Sequence, residues 1–187
     1  MKRVLLVLSL ALQACAATAA TAKPPAELAP FVEPGTRLAS FDAADMNGDG
    51  TQDYVVILQR DDETGTRPLL IIGREKTGVL KLLKRNDQLV GCESCGGMMG
   101  DPFQELVVRD KGFTVSNAGG SRGRWSHSFE FKYARRDDTW QLVRAEESSY
   151  DAPDPDTSLK TSVYLPPRDF GKIDIADFDP FDFLETP

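Results

Sequence analysis

Trp125-Ser126-His127-Ser128-Phe129-Glu130-Phe131-Lys132-Tyr133-Ala134 decides the fold class. Trp125, His127, Phe129, Phe131 and Tyr133 fall on one face of an extended chain, and Ser126, Ser128, Glu130 and Lys132 on the other. Side chains alternate across a strand with a period of two, so the segment predicts a β-strand with one apolar and one wetted face. Working outward, further strands are predicted at 37–41, 54–59, 68–72, 79–84, 105–110, 112–116 and 140–145. Residues 54–58 and 69–72 are apolar on both faces and read as central strands. Separators such as Asp110-Lys111-Gly112 and Arg136-Asp137-Asp138 suit hairpins, and no segment carries the 3.6-residue apolar period of an amphipathic helix. The expectation is an all-β domain over residues 36–148, an antiparallel meander forming a sandwich or a partial β-propeller of one or two blades.

The sharpest chemical signal is Asp45-Met46-Asn47-Gly48-Asp49-Gly50-Thr51-Gln52-Asp53, placed just before the predicted strand at 54–59. Oxygen-bearing side chains recur at every second residue from Asp45 to Asp49, Gly50 permits a sharp turn, and Asp53 brings a third carboxylate. Hard Ca²⁺ takes such a shell of oxygens. A helix-loop-helix calcium site would place a bidentate Glu at its twelfth position, which here is Val56, and both flanks are β-like. The alternative is a hairpin turn that binds nothing, since Asp, Asn and Gly also favour turns for local reasons. In that case three carboxylates within nine residues repel one another without compensation.

This loop resembles the Asp-x-Asn-x-Asp-Gly-x-x-Asp loops of FG-GAP and VCBS-type repeats. The resemblance implies a structural calcium ion held by the carboxylates of Asp45, Asp49 and Asp53, the amide oxygen of Asn47 and the backbone carbonyl of Thr51.

At the N-terminus, Met1-Lys2-Arg3, an apolar run at 4–12 and the small residues after it read as an export signal. Two processing routes compete. Leu12-Gln13-Ala14-Cys15 looks like a lipobox that would remove 1–14 and lipidate Cys15, whereas Ala20-Thr21-Ala22 suits ordinary cleavage after residue 22. Either route places the domain outside the cytoplasm, as a periplasmic protein or an outer-membrane-anchored lipoprotein of a bacterium. Residues 23–35, rich in Ala and Pro, have the composition of an extended tether. The acidic segment 149–187 combines Pro and Asp with Phe170, Ile173, Ile175, Phe178, Phe181, Phe183 and Leu184, too many large apolar residues for a wholly solvated tail. Part of it is expected to pack back as a short strand or turn.

Eight of the fifteen glycines lie from Gly91 to Gly123, and in their midst Cys92 and Cys95 form a Cys-x-x-Cys pair. In an oxidising compartment a disulfide is the default, and a ring this small contributes about 2 kcal/mol at most through the unfolded state. A redox motif needs an α/β context, and zinc needs ligands beyond the single His127. Arg122, Arg124 and Trp125 beside a glycine turn are a candidate partner surface, against a plain reading in which Trp125 begins the core face and the arginines pair with acidic neighbours. Removing Lys2 and Arg3 with the signal takes the formal charge from −7 to −9, which opposes nucleic-acid binding.

Cys-x-x-Cys-Gly-Gly followed by Gly-Asp-Pro-Phe, then Phe-Thr-Val-Ser, Gly-Gly-Ser, Arg-Trp and Asp-Phe-Gly-Lys-Ile, resembles a family of uncharacterised exported bacterial proteins and lipoproteins. That resemblance implies export and a β-rich domain, and brings no catalytic residue. Three function classes follow from the chain. The first is an exported, non-catalytic, calcium-binding envelope protein that binds or inhibits another protein or engages a cell-wall component. The second is a calcium-assisted periplasmic hydrolase, for which the sequence offers carboxylates but no Gly-x-Ser-x-Gly and a single histidine. The third is a purely structural envelope lipoprotein. The first is the expectation carried forward.

Overall fold

Runs rich in β-branched and aromatic residues become strands, and the Gly-, Asp- and Asn-rich breaks between them become turns. The computed structural model describes residues 23–109 and 111–185. Its strands are β1 (Thr36–Ala44), β2 (Asp53–Arg60), β3 (Arg67–Arg74), β4 (Leu80–Val90), β5 (Phe103–Arg109), β6 (Gly112–Gly120), β7 (Gly123–Ala134), β8 (Thr139–Asp151) and β9 (Lys160–Tyr164). Each pairs antiparallel with its neighbours in sequence, giving one sheet ordered β1-β2-β3-β4 and another ordered β5-β6-β7-β8-β9. The two meanders share a core to which Val55, Ile57, Leu69 and Ile71 come from the first sheet and Phe113, Val115, Phe129, Phe131, Trp140 and Leu142 from the second. Of the two expected all-β arrangements, this is the sandwich.

The alternation in β7 does what its pattern demands. Phe129 and Phe131 are fully buried, Trp125, His127 and Tyr133 are half-buried towards the ends of the same face, and Ser126 and Lys132 are exposed. β2 and β3 are buried on both faces, one face in the sandwich and the other beneath a 3-10 helix at Ala26–Phe31. Residues 26–31 were expected to lie in a tether, and the structure corrects that. The outer face of the first sheet presents Tyr54, Val56, Leu58, Leu70 and Ile72, and Leu28, 1% exposed, covers it together with Phe31 and Val32. Glu27 fixes the cover by accepting from Tyr54 Oη at 2.6 Å and from the Arg74 guanidinium at 2.5 Å.

The domain does not close at residue 148, which lies within β8. β9 pairs with β8 as the fifth strand of the second sheet, and a 3-10 turn at Ile175–Asp177 carries Ile175 and Phe178 into the core. Asn86, 2% exposed, anchors this segment by donating from Nδ2 to the carbonyls of Ile175 at 2.6 Å and Phe178 at 2.7 Å. Its Oδ1 accepts the backbone N–H groups of Gln88 and Leu89, so the buried amide is satisfied. The export signal, Cys15 and the last residue of the strand expected at 105–110 lie outside the described residues.

Candidate functional site

The acidic loop joins β1 to β2, and its alternation sorts side chains as a strand would. Met46 is fully buried in the sandwich core, while Asn47, Asp49 and Gly50 stay towards solvent. Trp140 Nε1 donates to the Met46 carbonyl at 3.2 Å, and Lys111, in the β5–β6 turn, donates its backbone N–H to the Asp45 carbonyl at 3.0 Å. The loop is therefore pinned to the second sheet as well as to the first. Gly48 has φ +77°, a backbone conformation that favours glycine, and a Cβ there would have to push aside the flexible end of Lys111, 2.7 Å away at Cε.

The carboxylates fold the loop around themselves. Asp45 Oδ1 accepts from the N–H groups of Gly48 at 2.7 Å and Asp49 at 3.2 Å, and Oδ2 from that of Gly50 at 3.0 Å. Asp49 Oδ1 accepts from the N–H of Thr51 at 2.8 Å and from its hydroxyl, and Oδ2 accepts from Asn47 Nδ2 at 3.1 Å. Asp53 is wholly buried, its two oxygens accepting the N–H groups of Met46 at 3.0 Å and Arg74 at 2.9 Å. Burial pushes the Asp53 carboxyl up, the two backbone bonds oppose this, and the charges of Asp49 and Asp45 add to the rise. Asp49 is held below the usual range, first by the Thr51 hydroxyl and then by the Thr51 N–H.

All five expected ligand residues thus sit in one loop, but not in a closed shell. Among the described residues, no group of three or more His, Cys, Asp or Glu side chains is arranged to hold a metal ion. Asp53 differs most from expectation, because it brackets the loop to β3 through backbone hydrogen bonds. The donor set still suits calcium in kind, since every candidate is an oxygen. None of the three carboxylates is in an ion pair among the described residues. An ionised carboxylate offers about four lone-pair positions, so those of Asp53 are half used. Met46 and Lys111 are structural partners that the spacing of carboxylates does not point to.

At the other end of β6 and β7, Cys92 and Cys95 form a disulfide with a Cα–Cα distance of 5.1 Å. Its loop docks through Gly96, whose carbonyl accepts the Gly120 N–H at 2.9 Å. The glycine clustering has a packing cause. A Cβ on Gly119 would lie 2.5 Å from the Trp125 ring and 3.0 Å from Gly96 Cα, so ring, strand and loop meet only because the position is bare. Trp125 stacks on His127 with centroids 4.8 Å apart, and burial lowers the His127 imidazole against the opposing pull of Glu147. The three residues of the candidate partner surface separate. Arg122 pairs with Asp151 at 3.0 Å, Arg124 donates to the Gly120 carbonyl at 3.1 Å, and Trp125 belongs to the inner face.

Comparison of the chain with family models, with curated proteins and with solved structures gives no match. Among the described residues no helix is long and apolar enough to cross a membrane.

Proposed function

We propose that the protein is an exported, non-catalytic β-sandwich module of the bacterial envelope whose β1–β2 loop binds one structural calcium ion and which engages another protein or a cell-wall component. The observation that carries the calcium reading is the set Asp45, Asp49 and Asp53, three carboxylates folded into one loop with no cation paired to any of them among the described residues. Asn47 Oδ1 and the Thr51 carbonyl complete an all-oxygen set. The bound ion would offset both the mutual repulsion and the desolvation of Asp53, and would fix the corner where the two sheets meet. Export supports the reading, because an extracellular compartment supplies the calcium that weak sites of this kind need.

The test is calorimetric titration of calcium into the mature domain, with thermal melts in chelator and in calcium, for wild type and Asp49→Ala. The expected result is one stoichiometric site, absent in the variant. At a hundred times the dissociation constant the ion adds about 2.7 kcal/mol of stability if only the native state binds it. Coincident melts and no heat of binding would reduce the loop to a turn.

A further inference from the structure

The disulfide loop, the aromatic face of β7 and the C-terminal helix Pro180–Glu185 enclose a cavity of about 450 Å³, within the size range of small-molecule sites. It lies at the end of the sandwich away from the acidic loop, so nothing in it depends on calcium. Leu89, Pro102, Phe129 and Leu184 give it apolar walls, the Trp125–His127 stack gives it an aromatic one, and Phe181, 68% exposed, stands at its edge.

Three features set the polarity. Asn117 lines the cavity, is 7% exposed, and its Oδ1 is the buried side-chain polar atom left without a hydrogen-bond partner among the described residues. A buried acceptor left this way is destabilising unless a donor reaches it. Glu147 also lines the cavity, in no ion pair among the described residues, with Tyr164 Oη at 3.5 Å as its hydrogen-bond partner. No lysine or arginine is among the lining residues. The cavity therefore offers an acceptor and a carboxylate within apolar and aromatic walls, and no positive charge to balance them. The acidic chain, at −7 overall, adds long-range attraction of the same sign.

We infer that this cavity binds an organic cation: an ammonium, amidinium or guanidinium group carried on an apolar or aromatic body. The body packs between Leu89, Phe129 and the β7 rings, while the charged head donates to Glu147 and Asn117. The disulfide and the bare Gly119, against which the Trp125 ring and Gly96 pack, hold this wall in place.

The experiment uses the full chain and two isosteric probes, benzamidine and its neutral counterpart benzamide, followed by amide and indole shifts in NMR titrations. Benzamidine is expected to move the Trp125 indole N–H and the Asn117 amide and to bind more tightly than benzamide. Glu147→Gln should weaken benzamidine by about ten- to a hundredfold, the loss expected for a charged hydrogen bond, and leave benzamide unchanged. Gln88→Glu adds a carboxylate at an exposed position on the rim, where folding is not at risk, and should tighten benzamidine. Equal binding of the two probes, shifts confined to the acidic loop, or no shift at Trp125 would overturn the inference. A peptide presenting one arginine supplies the second arm. Binding tighter than benzamidine assigns the cavity to a polypeptide side chain, and weaker binding assigns it to a free small cation, each within the inferred class.

Discussion

Two acidic stretches of this chain meet opposite fates. In the β1–β2 loop, glycine and asparagine separate Asp45, Asp49 and Asp53, and backbone N–H groups, Asn47 and Thr51 are their hydrogen-bond donors. In the C-terminal stretch, phenylalanine and isoleucine stand between the aspartates, and their burial carries the backbone across the end of the sandwich. Asp174 arrives between the two sheets and accepts from Lys84 of β4 at 2.9 Å, from the Thr139 hydroxyl of β8 at 2.6 Å and from the Ala176 N–H at 2.9 Å. Asp53 ends above the ordinary carboxylate value and Asp174 below it. What separates acidic residues in sequence thus decides their partners. Glycine gathers them into a loop where, among the described residues, no lysine or arginine forms an ion pair with them, and phenylalanine delivers one of them to a cation already in the fold.

The largest effect that tests this contrast lies in the tail. Phe178 is 2% exposed and packs edge-on against Phe129, with ring centroids 4.9 Å apart. Phe178→Ala should cost about 3–5 kcal/mol in urea denaturation. In chelator, Asp49→Ala should cost under about 1 kcal/mol, since its partners are exposed and water replaces them. A tail variant costing no more than the loop variant would remove the distinction. Next comes Asp174→Ala, which leaves Lys84 without its carboxylate in a site where both side chains are about a quarter exposed. The expected loss is about 1.5–3 kcal/mol, the range for hydrogen bonds to a charged group. A cost near zero would make the pair an ordinary surface contact.

The same contrast explains what could be read from the residues alone. The strands were legible because alternation in β7 and unbroken apolar runs in β2 and β3 report burial directly, and each of the eight predicted strands has a counterpart. The tether at 23–35 misled because its few apolar residues carry no period of their own; the two-faced apolar runs of β2 and β3 call for a cover without saying which segment supplies it. β9 was hidden too. Lys160-Thr161-Ser162-Val163-Tyr164 is mostly polar because it is an edge strand, held by pairing with β8 and by Tyr164, which packs against the core. Spacing brought Asp45, Asn47, Asp49, Thr51 and Asp53 into view, but could not show that Asp53 is spent on the N–H groups of Met46 and Arg74. The Asn117, His127 and Glu147 cluster was out of reach, since register across β6, β7 and β8 joins residues far apart in sequence.

The smallest effect is the sharpest in sign and is read in chelator. Burial, reinforced by Asp49 and Asp45 against two backbone hydrogen bonds, raises Asp53 above its ordinary value of 3.8, so the native state holds this proton more tightly than the unfolded chain does. Its ionised form is a standing cost above the folded-state value, and stability is regained as pH falls through that value towards 3.8. At Asp174, burial acts upward but is outweighed by the Thr139 hydroxyl, the Ala176 N–H and Lys84, leaving the carboxyl below 3.8. Its contribution is fully present above 3.8 and is lost as pH falls through the folded-state value. Denaturant titrations of wild type, Asp53→Asn and Asp174→Asn across the acid range compare slopes, not absolute stabilities. Wild type should gain on Asp53→Asn as pH falls towards 3.8 and lose its advantage over Asp174→Asn as pH falls on below 3.8. Two slopes of one sign would break the comparison. Repeating the Asp53 pair in saturating calcium sharpens it, because a bound ion favours the ionised carboxylate and should flatten or invert that slope alone, leaving Asp174, whose cation is built into the fold, unchanged.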